Sequence, residues 1–393
     1  MNQRVAMTGN EAAASAMKQI NPDVVAAYPI TPQTELMHDF AEFVANGEVD
    51  TEFVLVESEH SAMSAVIGSS ASGARAMTAT SSQGLALMWE MLYIAASFRL
   101  PIVMPVINRA LSGPVNIHCD HADTMGTRDS GWIQLYCENS QEAYDNTIQA
   151  ICIAENKDVL LPVMVCLDGF ITSHTTQVLE ILQEDEVRNF IGEYEPDDYL
   201  LNIKKPITMG PLALSDYYFE HKRQQVEAME VAKDVVGEVG RKFGELSGRE
   251  YGYFEKYRLD DAKVGVVVLS SAAGTTKEVV DQLRDEGIDA GMLKPRCFRP
   301  FPHEELVNSL KHLSVIAVLD RSNSFGGFGG PVFNEIRSSF YLQKEMPQIV
   351  NYIYGLGGRD LREKDIRSVY EDLLEITETG KVKQVVNFLG VRE

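Results

Sequence analysis

Residues 52–70 read EFVLVESEHSAMSAVIGSS. The apolar run Phe53–Val56 is too short for a helix and rich in valine, as a strand buried on both faces should be. It ends on two carboxylates, Glu57 and Glu59, and passes at once into a helical pattern over Ser58–Ser70. A strand delivered directly into a helix is the repeating unit of an α/β fold with a parallel sheet. The same alternation extends in both directions. Strands are predicted at Asp23–Ala27, Glu52–Val56, Ala76–Thr80, Ile102–Ile107 and Pro162–Leu167, and helices at Asn10–Ile20, Thr34–Ala45, Gly84–Phe98 and Gln141–Ala154. Within Gly84–Phe98, Leu85, Met88, Leu92 and Ala95 recur every three or four positions, which puts them on one buried face.

The rhythm breaks after residue 185. EDEVRNFIGEYEPDDYLLNIKKP is acidic and aperiodic and reads as a surface excursion, followed by one or two long helices over Ser215–Leu246. A second α/β unit starts near Lys263 with the strand KVGVVVLSS, a small-residue turn at Ala272-Ala273-Gly274 and a helix at Thr276–Glu286. The strands IDAGMLK and LSVIAVLD follow, separated by a helix at Glu304–Leu310. The expected division is 1–255, including the excursion 185–255, and 256–393.

The chain has 393 residues, enough for a large core without staples. Its 57 acidic against 35 basic residues leave a net charge of −22. So acidic a surface repels phosphate backbones and anionic lipid, which argues against nucleic-acid and membrane partners. The five cysteines (Cys119, Cys137, Cys152, Cys166 and Cys297) contain no CxxC pair. That speaks against a disulfide framework, a structural zinc site and an iron–sulfur cluster held by this chain alone. The opening MNQRVAMTGNEAA lacks the apolar stretch of a secretory signal, and no apolar run approaches a membrane span, so a cytoplasmic protein is expected.

Three segments set polar groups where open α/β sheets bind ligands, at the carboxyl ends of strands. Tyr28-Pro29-Ile30-Thr31-Pro32 follows the strand Asp23–Ala27. Its prolines stiffen the turn, and Thr31 before Pro32 fits an N-cap followed by the first helical residue. That would bring a hydroxyl and a helix N-terminus to the cleft; a plain helix start fits as well. Glu57 and Glu59 stand at the next junction. A carboxyl held there can act as acid, base or hydrogen-bond partner, or merely complement the helix dipole. A spacing of two does not say which of them matters.

Arg109, in the segment NRALSGP at 108–114, follows an apolar strand and suits a bidentate pair with a carboxylate or phosphate, or a surface loop. The segment to Gly131 holds His118, Cys119, Asp120, His121 and Asp123 at no zinc spacing. A structured loop is expected there, and no metal ligand is assigned. The glycine-rich SFGGFGGP at 324–331 does not satisfy G-x-G-x-x-G and reads as a turn before a helix at Val332–Tyr341 rather than a phosphate cradle. No nucleophile elbow, P-loop or Gly-Asp-Gly…Asn magnesium–diphosphate motif occurs.

These pieces together resemble the α subunits of the multi-subunit 2-oxoacid:ferredoxin oxidoreductases, those acting on pyruvate most closely. The resemblance is carried by YPITP (28–32), VESEHSAM (56–63), AMTATS (76–81), NRALSG (108–113), CDH (119–121), LDGF (167–170), YFEHKR (218–223), FRPF (298–301) and YGLGG (354–358). They span nearly the whole chain. The resemblance implies a pyrimidine-type thiamine diphosphate-binding domain followed by a smaller domain like the C-terminal domain of transketolase. It implies thiamine diphosphate shared with a β subunit that supplies the Mg2+–diphosphate motif, γ and δ subunits with [4Fe-4S] clusters on δ, CoA as co-substrate and ferredoxin as electron carrier. By resemblance Glu59 meets N1′ of the aminopyrimidine, Thr31 lies beside the reacting carbonyl, and Arg109 clamps the 2-oxoacid carboxylate. Tyr28, Pro29 and Ile30 join Thr31 and Glu59 around the cofactor. Another 2-oxoacid (2-oxoglutarate, 2-oxoisovalerate or oxalate) and a non-catalytic scaffold role are the alternatives.

Overall fold

The computed structural model describes residues 3–392. Seven strands form the first sheet in the order Cys297–Arg299, Ile133–Cys137, Val163–Asp168, Val103–Asn108, Ala76–Met77, Val24–Ala27 and Glu52–Leu55. Every neighbouring pair is parallel except the first. The inner strands Ile133–Cys137, Val163–Asp168 and Val103–Asn108 are buried on both faces. Glu52–Leu55, expected to be so, is instead an edge strand with Glu52 and Leu55 exposed, because no further strand covers it. In Val103–Asn108, Val103 and Ile107 join a core with helices Gly9–Ile20 and Thr34–Ala45, whereas Met104 and Val106 join one with helix Glu59–Ala71. That period of two is why the run reads as continuously apolar.

Six strands form the second sheet, in the order Val386–Phe388, Gln348–Ile353, Val315–Asp320, Val264–Val268, Ala290–Pro295 and Phe254–Tyr257; only the last pairs antiparallel. The two units are not separate bodies. Val267, Ile316 and Val318 of the second sheet belong to the same hydrophobic cluster as Met104 and Val106 of the first. Lys294 on the second sheet reaches Glu138 (2.7 Å) and Glu142 (2.5 Å) at the end of the first, as well as Glu255 (3.0 Å). Two separate sheets therefore share one interior.

Four sequence expectations change. The helix expected over Gly84–Phe98 is two, Ser82–Leu87 and Trp89–Ser97, because the Met88 N–H is shared by the carbonyls of Gly84 and Leu85 and the turn tightens there. Leu85, Met88, Leu92 and Ala95 are nonetheless all buried. The strand Ile133–Cys137 goes unread in the sequence because its apolar run is broken by Gln134, a buried amide whose Nε2 donates to the Thr124 carbonyl (2.9 Å). The segment 297–299 crosses the expected division to extend the first sheet. Finally, Gln3–Met7 and Gln177–Ile181 make a separate antiparallel pair.

The excursion contains one short helix, Glu184–Ile191, and leads into a single 30-residue helix, Tyr218–Ser247. Its face Ala228, Ala232, Val235, Val236, Val239 and Phe243 is buried, at the spacing an amphipathic helix requires. Among the described residues no helix is long and apolar enough to cross a membrane.

Candidate active site

The carboxyl ends of strands Val24–Ala27, Glu52–Leu55 and Val103–Asn108 carry the three expected segments. Residues 31–33 form a turn, and the helix begins at Thr34. Thr31 is therefore not its N-cap. Gln33 takes that position and spends its side chain elsewhere: its Nε2 donates to the Ala79 carbonyl (3.0 Å) and its Oε1 accepts from the Ile30 N–H (3.1 Å). Asn10 Nδ2 donates to the Pro32 carbonyl (2.9 Å). The turn is thus pinned from beneath by two buried amides, while Tyr28, Pro29 and Thr31 stay exposed and Ile30 half-buried. The Thr31 hydroxyl makes no hydrogen bond to the described residues.

The two glutamates are told apart by the helix start. Ser58 is the N-cap and accepts from the Ser61 N–H (3.2 Å), so Glu59 is the first helical residue. Glu57 is exposed and accepts from the Ser61 hydroxyl, which holds its carboxyl below the usual glutamate range. Glu59 is only 7% exposed. Among the described residues its carboxyl has no hydrogen-bond partner. It rests against Gly84: a Cβ there would lie 2.8 Å from Glu59 Oε1 and 2.5 Å from Thr80 Oγ1. The hydroxyls of Thr80 and Ser81 are fully buried and have no partner among the described residues.

Arg109 is half-buried. Its Nη1 donates to the Thr31 carbonyl (2.9 Å), its Nε to the Asn116 carbonyl (2.9 Å), and its backbone N–H to Asp123 Oδ2 (3.0 Å). Burial lowers the guanidinium from its ordinary value, with Asp123 opposing. No carboxylate neutralises it in an ion pair among the described residues, and Nη2 remains uncommitted. So Thr31 and Arg109 are brought together directly.

Glu59 joins them through the turn at residues 80–84. There Ser82, at φ 48°, donates its N–H to Asp123 Oδ2 (3.1 Å) and its hydroxyl to the Ala110 carbonyl (2.6 Å). A non-glycine residue in that region costs about 1–3 kcal/mol and persists only when over-determined, as here.

Asp123 is the node beneath the site. Its Oδ1 accepts from Asn108 Nδ2 and the Thr124 N–H (both 2.8 Å), its Oδ2 from Ser82 and Arg109. Burial pushes its carboxyl up to about 6. The loop 109–121 ends in a second buried cluster. His121 Nε2 meets Asp168 Oδ1 (2.7 Å), and Asp168 Oδ2 accepts from Arg321 Nη1 (2.8 Å) and from the Ser271 hydroxyl. Although burial pushes the Asp168 carboxyl up, His121 and Arg321 hold it well below the usual range.

The ligand atoms of Cys119, His121 and Asp168 lie within 4.8 Å of one another. Both Asp168 oxygens are already committed, and burial beside that carboxylate pushes the Cys119 thiol up, so the cluster reads as an inter-domain brace. The sequence had no role for Asp123, Asn116, Asp168 or Arg321. The LDGF motif at the end of an apolar strand was the available signal for Asp168.

The glycine-rich stretch also has a steric explanation. Asp320 accepts from the N–H groups of Val332 (2.8 Å) and Phe333 (3.1 Å), filling the N-terminus of helix Pro331–Ser339. A Cβ on Gly330 would stand 2.2 Å from Asp320 Cγ. A cavity of about 680 Å3 lies apart from all of this, between Arg99, Cys152, Glu155, Tyr194 and Met209.

Residues 15–241 match the family model described as pyruvate flavodoxin/ferredoxin oxidoreductase, thiamine diphosphate-binding, and residues 262–366 match pyruvate:ferredoxin oxidoreductase core domain II. The pyruvate synthase subunit PorA of Thermotoga maritima is 55% identical over 391 residues, 100% of this chain and 99% of its own. The ketoisovalerate oxidoreductase subunit VorA of Pyrococcus abyssi is 45% identical, over 98% of this chain and 97% of its own. In fold, the chain is similar to the 2-oxoglutarate:ferredoxin oxidoreductase of Magnetococcus marinus, with a TM-score of 0.75 at 20% identity over 94% of this chain and 65% of that one. It is also similar to a split-gene transketolase, with a TM-score of 0.56 at 14% identity over 95% of this chain and 100% of that one.

Proposed function

Because the chain belongs to the pyruvate flavodoxin/ferredoxin oxidoreductase family, we propose that it is the α subunit of an enzyme that oxidatively decarboxylates pyruvate with CoA. The products are acetyl-CoA and CO2, and the electrons pass to ferredoxin. The observation that carries this reading is Glu59: a largely buried residue whose carboxyl has no hydrogen-bond partner among the described residues and faces the room that a glycine leaves open. A helix-capping glutamate would be bonded to the first-turn N–H groups, and Ser58 already does that work. This weighs against a scaffold role.

The residues present fit thiamine diphosphate. Glu59 would hold the aminopyrimidine, with Thr80 and Ser81 offering further hydroxyls and Tyr28–Thr31 forming the rim. The cofactor, when bound, supplies the electron sink for loss of the substrate carboxylate as CO2. The protein's own part is positional. Glu59 would share a proton with a ring nitrogen of the aminopyrimidine. Arg109 offers its free Nη2 to the carboxylate, its other nitrogens tied to two carbonyls so that the guanidinium plane is fixed. The Thr31 hydroxyl is free to donate to the oxygen that gains charge at the reacting carbonyl. A β subunit with the Mg2+–diphosphate site, together with a γ subunit and a δ subunit that carries [4Fe-4S] clusters, would complete the assembly. The chain divides near residue 255 into cofactor-binding and transketolase C-terminal-like parts.

A second reading, a branched 2-oxoacid as substrate, is favoured by the ketoisovalerate relative that covers the chain almost as fully. Assaying the assembled enzyme with pyruvate, 2-oxoglutarate and 2-oxoisovalerate, each with CoA and a viologen dye, tests both. A kcat/KM highest for pyruvate is expected, and one highest for 2-oxoisovalerate would replace the first reading with the second.

A further inference from the structure

The loop that carries Arg109 is exposed along most of its length: Ser112, Gly113, Pro114, Val115 and Ile117 all face solvent. An arginine on such a loop should lose its orientation, yet its Nε is fixed by the Asn116 carbonyl. Asn116 is itself held by the second domain. Its Nδ2 donates to the Gly357 carbonyl (3.1 Å), while its Oδ1 accepts from the His118 N–H (2.6 Å). Beside it, the Gly358 N–H donates to the Cys119 carbonyl (2.7 Å) and the Gly357 N–H to Asp120 Oδ2 (3.3 Å). The turn and the loop are in close contact. Gly357 and Gly358 have φ of 62° and 79°. A Cβ on Gly357 would lie 2.5 Å from Asn116 Nδ2, and one on Gly358 2.3 Å from His118 Cβ. Only glycine meets both demands, on conformation and on approach.

We infer that Asn116 is a positioning residue for 2-oxoacid binding, transmitting the placement of the Gly355–Gly358 turn of the second domain to the guanidinium of Arg109. The inference rests on the reading of Arg109 as the carboxylate clamp. It gives the second domain a part in substrate recognition, although no side chain of that domain is required to touch the substrate.

The test is steady-state kinetics of the assembled enzyme carrying Asn116→Ala, Arg109→Leu, or both. Asn116→Ala should raise the pyruvate KM by about fivefold to tenfold, as the loss of an anchoring hydrogen bond to a charge-binding group does. It should leave the CoA KM unchanged, and added to Arg109→Leu it should cause no further loss. A merely structural contact would lower thermal stability and move neither ratio selectively. An unchanged pyruvate KM in Asn116→Ala, with a raised one in Arg109→Leu, overturns the inference and leaves the clamp standing. If Arg109→Leu is also unchanged, the clamp and the inference fall together. Should Asn116→Ala assemble poorly, Asn116→Ser, too short to reach Gly357, replaces it; a wild-type pyruvate KM there equally overturns the inference.

Discussion

The guanidinium of Arg109 donates to the backbone carbonyl of Thr31 across 2.9 Å, although 78 positions separate them in the chain. The bond joins the ends of two strands, and it orients a cation with a neutral acceptor. A carboxylate in that place would have neutralised the guanidinium and competed with an incoming acid. A carbonyl leaves the charge available.

Arg109→Lys should therefore not be conservative. An ammonium group cannot bond both the Thr31 and Asn116 carbonyls in one plane and still present a free donor edge. The kcat/KM for pyruvate should fall about tenfold or more while folding is retained, as measured by viologen reduction. Wild-type efficiency in this variant would mean that the planar fork is not used.

Glu59→Gln keeps the shape but removes the ability to share a proton. The 2-oxoacid-dependent dye reduction should drop by about a hundredfold or more, the usual contribution of a placed acid–base group. Turnover within a few-fold of wild type would reject Glu59 as the acting carboxyl.

Gly84→Ala makes a sharper case, because a glycine-to-alanine change inside a helix ordinarily stabilises by about 0.5–1 kcal/mol. Here the new methyl would stand 2.5 Å from Thr80 Oγ1 and 2.8 Å from Glu59 Cγ. We expect destabilisation of about 1–3 kcal/mol by denaturant titration, with impaired activity. A gain in stability would show that the Glu59 carboxyl is free to move aside.

Asp123 predicts a pH dependence. Its folded pKa of about 6 lies above the ordinary 3.8, so the folded state binds its proton more tightly. The stability this contributes is present below about pH 4 and is lost as pH rises through about 6. Asp123→Asn should be less stable throughout, since its amide faces four N–H donors. The difference in melting temperature between wild type and variant should narrow as pH rises from about 4 to about 7, by the equivalent of about 1–3 kcal/mol. A difference that widens over that range would contradict the assignment.

The handovers from strand to helix were legible because at each a short apolar run gives way to a pattern with a period of about 3.6. The strand Ile133–Cys137 was hidden because a buried glutamine breaks its apolar run, and the carbonyl that accepts from its amide, that of Thr124, comes from the short helix Ala122–Gly126. Glu57 and Glu59 could not be separated by spacing, since the choice depends on which serine caps the helix. Asn116 left no mark at all. Its importance lies in a backbone oxygen, which every residue type supplies, and in a contact 241 positions away.

The strand Cys297–Arg299 has a practical corollary for anyone dissecting this chain. A fragment ending near residue 255 would strip the border from Ile133–Cys137, whose five residues are all buried, and leave its amides and carbonyls open along one side. Bare rims of that kind recruit other chains. Such a fragment should form aggregates, so the amino-terminal half is best studied together with the segment that returns to seal it.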